Sequence, residues 1–250
     1  MKKTFALLFV IPVLTFFLVS CQGRSVMPSQ VISSPQATPA AALQVTSALF
    51  LDPALAMDAD SQKINAFLYE TLVGYQNGEI VPALAVSWSV SEDGLHYTFN
   101  LRSDVTFHDG TAFNADAVLA NFDRWFNPHS PLHTGGEFVA WKTYFGGFQG
   151  ERGADGRPLS ILDGVEKVNQ NTVLFHLNTP DNKFLFNLTD LSFAIASPAA
   201  LQRPNFGKQG NVAGTGPYYV KQWNAESLIL APNANYWGAV PSEDLVISLK

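Results

Sequence analysis

The chain has 250 residues, with 15 basic against 21 acidic side chains and a net charge of −6. Such acidity excludes a nucleic-acid binder and electrostatic docking on anionic lipid. Its 47% hydrophobic content supplies one large or two small globular cores, and a single cysteine excludes an internal disulfide.

Lys2 and Lys3 precede an apolar run from Phe5 to Val19 that is broken only by Pro12 and Thr15. This is the pattern of a secretory signal over residues 1–20 rather than of a spanning helix, which needs roughly twenty apolar residues with polar flanks. The run ends in Leu18-Val19-Ser20-Cys21, which resembles the lipobox of bacterial lipoproteins. That resemblance implies lipid attachment at Cys21, where each buried CH₂ contributes about 0.8 kcal/mol of membrane affinity. Loss of Lys2 and Lys3 takes the basic residues from 15 to 13 against 21 acidic ones, and the net charge from −6 to −8. Residues 21–42 are rich in Ser, Gln and Ala, with prolines at 28, 35 and 39, and read as a disordered tether. A loose coil of that length spans on the order of 25 Å.

The body then mixes helical and strand periods without a repeat, which is an α/β or α+β pattern. Asp60 is the expected cap of a first helix whose apolar face is Ile64, Phe67, Leu68 and Leu72. Ser91-Glu-Asp-Gly94 is a turn into a strand in which Leu95, Tyr97, Phe99 and Leu101 alternate with polar residues. Asn114 or Thr111 opens a second helix with Ala115, Val118, Leu119, Phe122 and Phe126 on one face, closing before Pro128. Residues 127–160 show no clear period. Val165–Val168 and Thr172–Leu177 form a hairpin about Asn169-Gln-Asn171, with Val173, Phe175 and Leu177 inward. Ser197-Pro198 is an N-cap with proline at the first helical position. Gly214-Thr-Gly-Pro217 turns into a strand over Tyr218–Trp223, which is partnered by Leu228–Leu230.

Several of these segments, in this order, resemble the large solute-binding proteins of ABC importers, family 5, which includes oligopeptide-, dipeptide- and nickel-binding proteins. They are Leu51-Asp-Pro53, Leu72-Val-Gly-Tyr75, Glu79 to Ala85 with Trp88, and Ser91-Glu-Asp-Gly94. Tyr97 to Arg102, Val105 to Thr111, Ala115-Asp-Ala-Val118, Gly214 to Tyr218 and Asn235-Tyr-Trp-Gly238 complete the series. The resemblance implies an α/β, periplasmic-binding-protein-like (type II) bilobal fold whose lobes close on a ligand by hinge motion. It divides the chain into domain I, residues 43–70 and 181–250, and an inserted domain II, residues 71–180. A domain III would follow residue 250 and is missing from this chain, which reads as roughly the front half of a longer lipoprotein. In peptide-binding members the acid that grips the ligand's α-amino group lies in that missing part.

What remains is one wall of the cleft. By alignment with Leu51-Asp-Pro53, Met57, Asp58 and Ala59 are the segment whose backbone would pair with an extended ligand, and Trp141 and Tyr144 would line the pocket from domain II. The implied function is a monomeric, lipid-anchored receptor in the cell envelope that hands a peptide or related solute to an ABC permease and its ATPase. No cofactor and no catalysis are implied. The alternatives are an exported lipid-anchored hydrolase, or a truncated, non-functional remnant of the receptor. A hydrolase needs a nucleophile with a base or a metal cluster. The one close histidine pair, His129 and His133, lies in a Pro- and Gly-containing loop, and Phe107-His-Asp-Gly110 reads as a strand ending in a turn.

Overall fold

Asp58, not Asp60, starts the first helix. Its carboxylate accepts a hydrogen bond from the Ser61 N–H at 2.8 Å, the relation of an N-cap to the third helical residue, and α1 runs from Ala59 to Leu68. Asp60 falls in the first turn, where it complements the helix dipole. Leu72, expected on the helix face, lies beyond the helix, because Tyr69 turns extended and its hydroxyl is bound to the Leu51 carbonyl at 2.9 Å.

A computed structural model describes residues 43–45, 48–208 and 210–250, all within one compact unit of Ile32–Lys250. The signal segment 1–20, Cys21 and the tether to residue 42 lie outside the described residues.

After α1 come a two-stranded ribbon, β2 (Val73–Gln76) and β3 (Glu79–Pro82), then β4 (Ala85–Val90) and β5 (His96–Leu101). Helix α2 (Ala115–Phe126) is capped by Asn114, whose side chain accepts from the Ala117 N–H, and α3 (Val139–Phe145) follows. The hairpin β6 (Leu162–Asn169) and β7 (Thr172–Leu177) completes an antiparallel sheet of order β4-β5-β7-β6. Short helices α4 (Phe184–Asn187) and α5 (Pro198–Leu201) lead to β8 (Tyr218–Trp223), β9 (Ser227–Pro232) and β10 (Leu245–Leu249). These strands form a second sheet of order β1-β10-β9-β8, in which β1 (Leu43–Val45) runs parallel to β10.

Alternation in β5 and β7 buries Tyr97, Phe99, Leu101, Val173, Phe175 and Leu177 on one face. Against that face lies α2, with Phe122 edge-on to Phe175 at 4.7 Å. Each such side chain, fully buried, contributes about 1.5–3 kcal/mol. The stretch without a readable period supplies α3, which sends Trp141 and Phe145 into the same core. It ends at Gly146 with φ of 89°, where a Cβ would stand 2.3 Å from the Leu159 carbonyl.

A second hydrophobic cluster joins Val45, Leu51, Ile64, Leu68, Tyr69, Leu201, Tyr218, Leu228, Leu230 and Ile247. Phe184, Leu188, Phe193 and Ile195, assigned by the expected division to domain I, pack with the first cluster. The chain therefore passes between two cores at residues 69–72 and again near 195.

Candidate ligand-facing site

Ahead of α1, the segment 50–58 is held from several sides. The Asp52 carboxylate accepts from the Ala54 N–H at 3.2 Å, and the Asp52 carbonyl accepts from the N–H groups of Leu55 and Ala56. Phe50 donates its N–H to Ser61 Oγ at 2.9 Å, and Leu51 donates to the Gly207 carbonyl at 2.7 Å. Beneath this loop Arg124, on α2, forks onto Asp52: Nη1 donates to Oδ1 at 3.1 Å and Nη2 to Oδ2. Its Nε donates to the Leu132 carbonyl at 3.2 Å, and the guanidinium lies 5.1 Å from the Phe138 ring and 5.4 Å from the Phe206 ring. Asp52 and Arg124 are only 1% and 4% exposed, so each charge depends on the other for compensation.

What this bracing presents is Met57, 64% exposed, beside half-buried Asp58 and exposed Ala59. Among the described residues nothing hydrogen-bonds the Met57 N–H or carbonyl. A backbone residue with open donor and acceptor groups, placed just before the extended Asp58 cap, is suited to pairing with an extended chain. Ala59 is already the first residue of α1, so the extended part ends at the Asp58 cap.

The two aromatic candidates part company. Trp141 is 1% exposed, with rings of Phe122, Phe126, Phe145 and Phe193 around it and its indole N–H donated to the Gly147 carbonyl at 2.9 Å. It stands in the core rather than on a pocket wall, because the apolar stretch folded inward as α3. Tyr144, one turn on, is half-buried and donates its hydroxyl to Asp190 Oδ2 at 2.9 Å. A cleft of about 750 Å³ opens at the seam of the two cores between Phe50, Asp52, Arg124, Leu132, Arg203 and Lys208. Its walls include none of Met57, Asp58, Ala59, Trp141 and Tyr144.

A second joint lies at the exit of α1, centred on Glu70. Glu70 Oε2 accepts from Thr215 Oγ1 at 2.8 Å and from the Trp237 indole N–H at 3.0 Å, and Oε1 accepts from the Tyr236 hydroxyl at 3.0 Å. Arg102 covers the Trp237 ring at 3.6 Å. Burial raises the Glu70 pKa, and the hydrogen bonds from Trp237, Thr215 and Tyr236 act against it. The only hint was a lone acid between the apolar runs before and after it.

His108 and Asp109 serve the same joint. The His108 ring bridges the N–H of Gly214, at 3.3 Å to Nδ1, and the carbonyl of Gly216, at 3.0 Å from Nε2. Asp109 Oδ2 accepts from Ser197 Oγ at 2.5 Å and Oδ1 accepts from Thr111. Burial raises the Asp109 pKa, but these hydrogen bonds outweigh it and the net shift is downward. His133 turns Nδ1 to the Arg124 carbonyl at 2.7 Å, while His129 is exposed. Among the described residues no three His, Cys, Asp or Glu side chains are grouped to hold a metal ion.

The sequence signature described as "Bacterial extracellular solute-binding proteins, family 5 Middle" matches residues 79–247. The glutathione-binding protein GsiB of Pectobacterium atrosepticum is 35% identical over 193 residues, which cover 76% of this chain and 33% of that protein. The dipeptide-binding protein of Escherichia coli is 35% identical over 72% of this chain and 34% of its own length. Among solved structures, the periplasmic binding protein DppA of Helicobacter pylori in complex with the peptide STSA superposes with a TM-score of 0.68 at 31% identity, over 83% of this chain and 42% of that one. The chain thus spans about a third of the length of the curated relatives it matches. The α/β fold is that of the type II periplasmic binding proteins, and the chain belongs to family 5 of the bacterial extracellular solute-binding proteins.

Proposed function

We propose that this chain is the receptor part of an ABC importer for peptides or closely related solutes, held outside the cytoplasmic membrane by lipid on Cys21. The observation that carries the reading is exposed Met57, whose N–H and carbonyl have no hydrogen bond among the described residues, on a loop braced by the buried Asp52–Arg124 pair. Main-chain hydrogen bonds from Met57 and the approach to Asp58 and Ala59 supply affinity that is independent of ligand side chains. Tyr144 borders the site from the domain II side.

In this reading residues 43–70 and 181–250 form domain I and residues 71–180 the inserted domain II, although Phe184, Leu188, Phe193 and Ile195 pack with the cluster built mainly from residues 72–177. Named relatives bind glutathione and dipeptides, and the H. pylori structure holds a four-residue peptide, which favours a short peptide as the ligand class. A permease with its ATPase takes the ligand onward, and the acylated Cys21 keeps the receptor near it by raising its local concentration.

Native mass spectrometry of the protein purified from its own host, followed by calorimetry with di- to tetrapeptides and glutathione, tests the reading. A co-purified peptide and saturable binding are expected. Failure of all these ligands to bind would overturn it. Membrane fractionation of Cys21→Ser tests the anchor separately, and retention of that variant on membranes would remove the lipid from the proposal.

A further inference from the structure

The outer face of the β4-β5-β7-β6 sheet is left out of the receptor reading. Alternation that turns Tyr97, Phe99, Val173 and Phe175 inward turns His96, Thr98, Asn100, Thr172, Leu174 and His176 outward. On this polar face His96 and His176, eighty positions apart in sequence, are direct cross-strand partners. Their rings meet at 82° with centroids 5.1 Å apart, and the two Nδ1 atoms approach to 3.2 Å. From the next strand, Glu166 places Oε2 3.4 Å from His176 Nε2.

We infer that His96 and His176 form a two-imidazole site for a divalent transition metal ion of the nickel, copper and zinc group, with Glu166 as the outer support of His176. Three features argue for it. The separation of the two Nδ1 atoms suits neighbouring ligands of one ion: with metal–nitrogen bonds of about 2.0–2.1 Å, a tetrahedral edge is about 3.3–3.4 Å and an octahedral edge about 3.0 Å. Glu166 accepts only, so the proton of neutral His176 sits on Nε2 and its Nδ1 carries the lone pair that a metal needs. This is the carboxylate–histidine–metal relay found around bound metals. The site is also open to water: His96 is exposed, and the His176 and Glu166 side chains are 30% and 64% exposed.

Without metal, His96 donates its Nδ1 proton to His176. Binding moves that proton to His96 Nε2 and needs a small rotation of each ring about its Cβ–Cγ bond to aim both lone pairs at one point. With only two protein ligands, water completes the coordination shell, which leaves the metal exchangeable. Imidazole pairs favour copper over nickel in the usual order of divalent ions.

The test is calorimetry of the full chain with Cu²⁺, Ni²⁺ and Zn²⁺ salts, paired with imidazole-edited NMR. One equivalent bound, with copper tighter than nickel and resonance shifts confined to His96 and His176, is the expected result. His96→Gln and His176→Gln should each weaken binding at least tenfold, Glu166→Gln about tenfold, and His129→Gln not at all. Binding that survives in the His96→Gln/His176→Gln double variant, or absence of binding at millimolar metal, overturns the proposal. Should a variant fail to fold, the NMR shifts in the unaltered chain decide: metal-induced shifts at other histidines instead of this pair refute it. None of these outcomes depends on peptide binding, so the receptor reading stands or falls separately.

Discussion

The two joints between the cores each bury an acid, but they hold it in opposite ways. Asp52 faces a full positive charge, forked and enclosed by Phe138 and Phe206. Glu70 is hydrogen-bonded by two hydroxyls and an indole, all neutral, while the charge of Arg102, stacked over the Trp237 ring, acts on it without a hydrogen bond. The first joint fixes one geometry, because either charge left alone in the interior is severely penalised. The second tolerates a change of protonation, because hydroxyls can reverse their donor and acceptor roles.

The contrast is broken most forcefully at the ion pair. Asp52→Ala or Arg124→Ala should each lose about 3–5 kcal/mol of unfolding free energy in urea titrations, since the partner is stranded in a dry site. Replacing both with apolar residues of similar volume, Asp52→Leu with Arg124→Met, should recover most of that loss. Single variants that lose under about 1 kcal/mol would show the pair to be idle. Gly214→Ala comes next. A Cβ there would lie 2.0 Å from the Leu68 carbonyl and 2.6 Å from the Tyr69 ring, and Gly216 donates its N–H to that same carbonyl at 3.0 Å. The turn must back away from the end of α1, with an expected loss of about 3 kcal/mol in the same titration.

How much of this could be read from the chain follows from which forces are local. Alternation in Leu95–Leu101 and Thr172–Leu177 and the Asn114 and Ser197 caps are short-range signals, and the structure contains each of them; residues 215–217 form a bend before β8 instead of a hydrogen-bonded turn. The first helix was legible but its cap was misplaced by two residues, because Asp58 and Asp60 are both good capping residues and only the loop bracing decides between them. Trp141, expected on the pocket wall, lies in the core, since one aromatic looks the same in either setting until α3 is placed. The ion pair, the Glu70 cradle and the His96–His176 contact join residues 72, 145 to 167 and 80 positions apart. No period or spacing encodes such pairings. The close-in-sequence histidines, 129 and 133, are by contrast not the pair the fold brings into register.

The Glu70 joint is sharpened by two substitutions of different size. Glu70→Ala leaves three donors without their acceptor and should cost about 2–3 kcal/mol. Glu70→Gln should cost less than about 1 kcal/mol, because its amide oxygen can serve Thr215 and Trp237 while the Tyr236 hydroxyl turns to accept from the amide. The sign of the pH effect follows from the raised pKa. The folded state holds the proton more tightly than the unfolded one, so this contribution is full below the ordinary carboxyl range and is lost as pH rises through the raised value. Glutamine mimics the protonated acid, and Glu70→Gln should therefore gain on the unaltered chain between pH 4 and pH 7. Equal penalties for Ala and Gln in paired urea titrations would show that the carboxylate's charge, not its acceptor geometry, holds the joint.

The smallest effect lies at His108, on the other side of the same turn, and it runs the opposite way. The Gly216 carbonyl can only accept and the Gly214 N–H can only donate, so the ring carries its proton on Nε2 and offers a lone pair at Nδ1. A second proton would set Nδ1–H against the Gly214 N–H in a site that burial already makes unfavourable for charge; burial is the main cause of the lowered pKa, with the Gly216 bond and Asp109 opposing it. For a histidine with a depressed pKa the unfolded chain takes the proton first. Its stabilising contribution is thus complete above the ordinary value of about 6.5 and is lost as pH falls toward the lowered one. Thermal unfolding between pH 7.5 and pH 5 should show the unaltered chain losing stability faster than His108→Gln, while Glu70→Gln over the same interval should lose ground to the unaltered chain. Parallel profiles for the unaltered chain and His108→Gln would show that the ring is held there by packing alone, with no linkage between its proton and the turn.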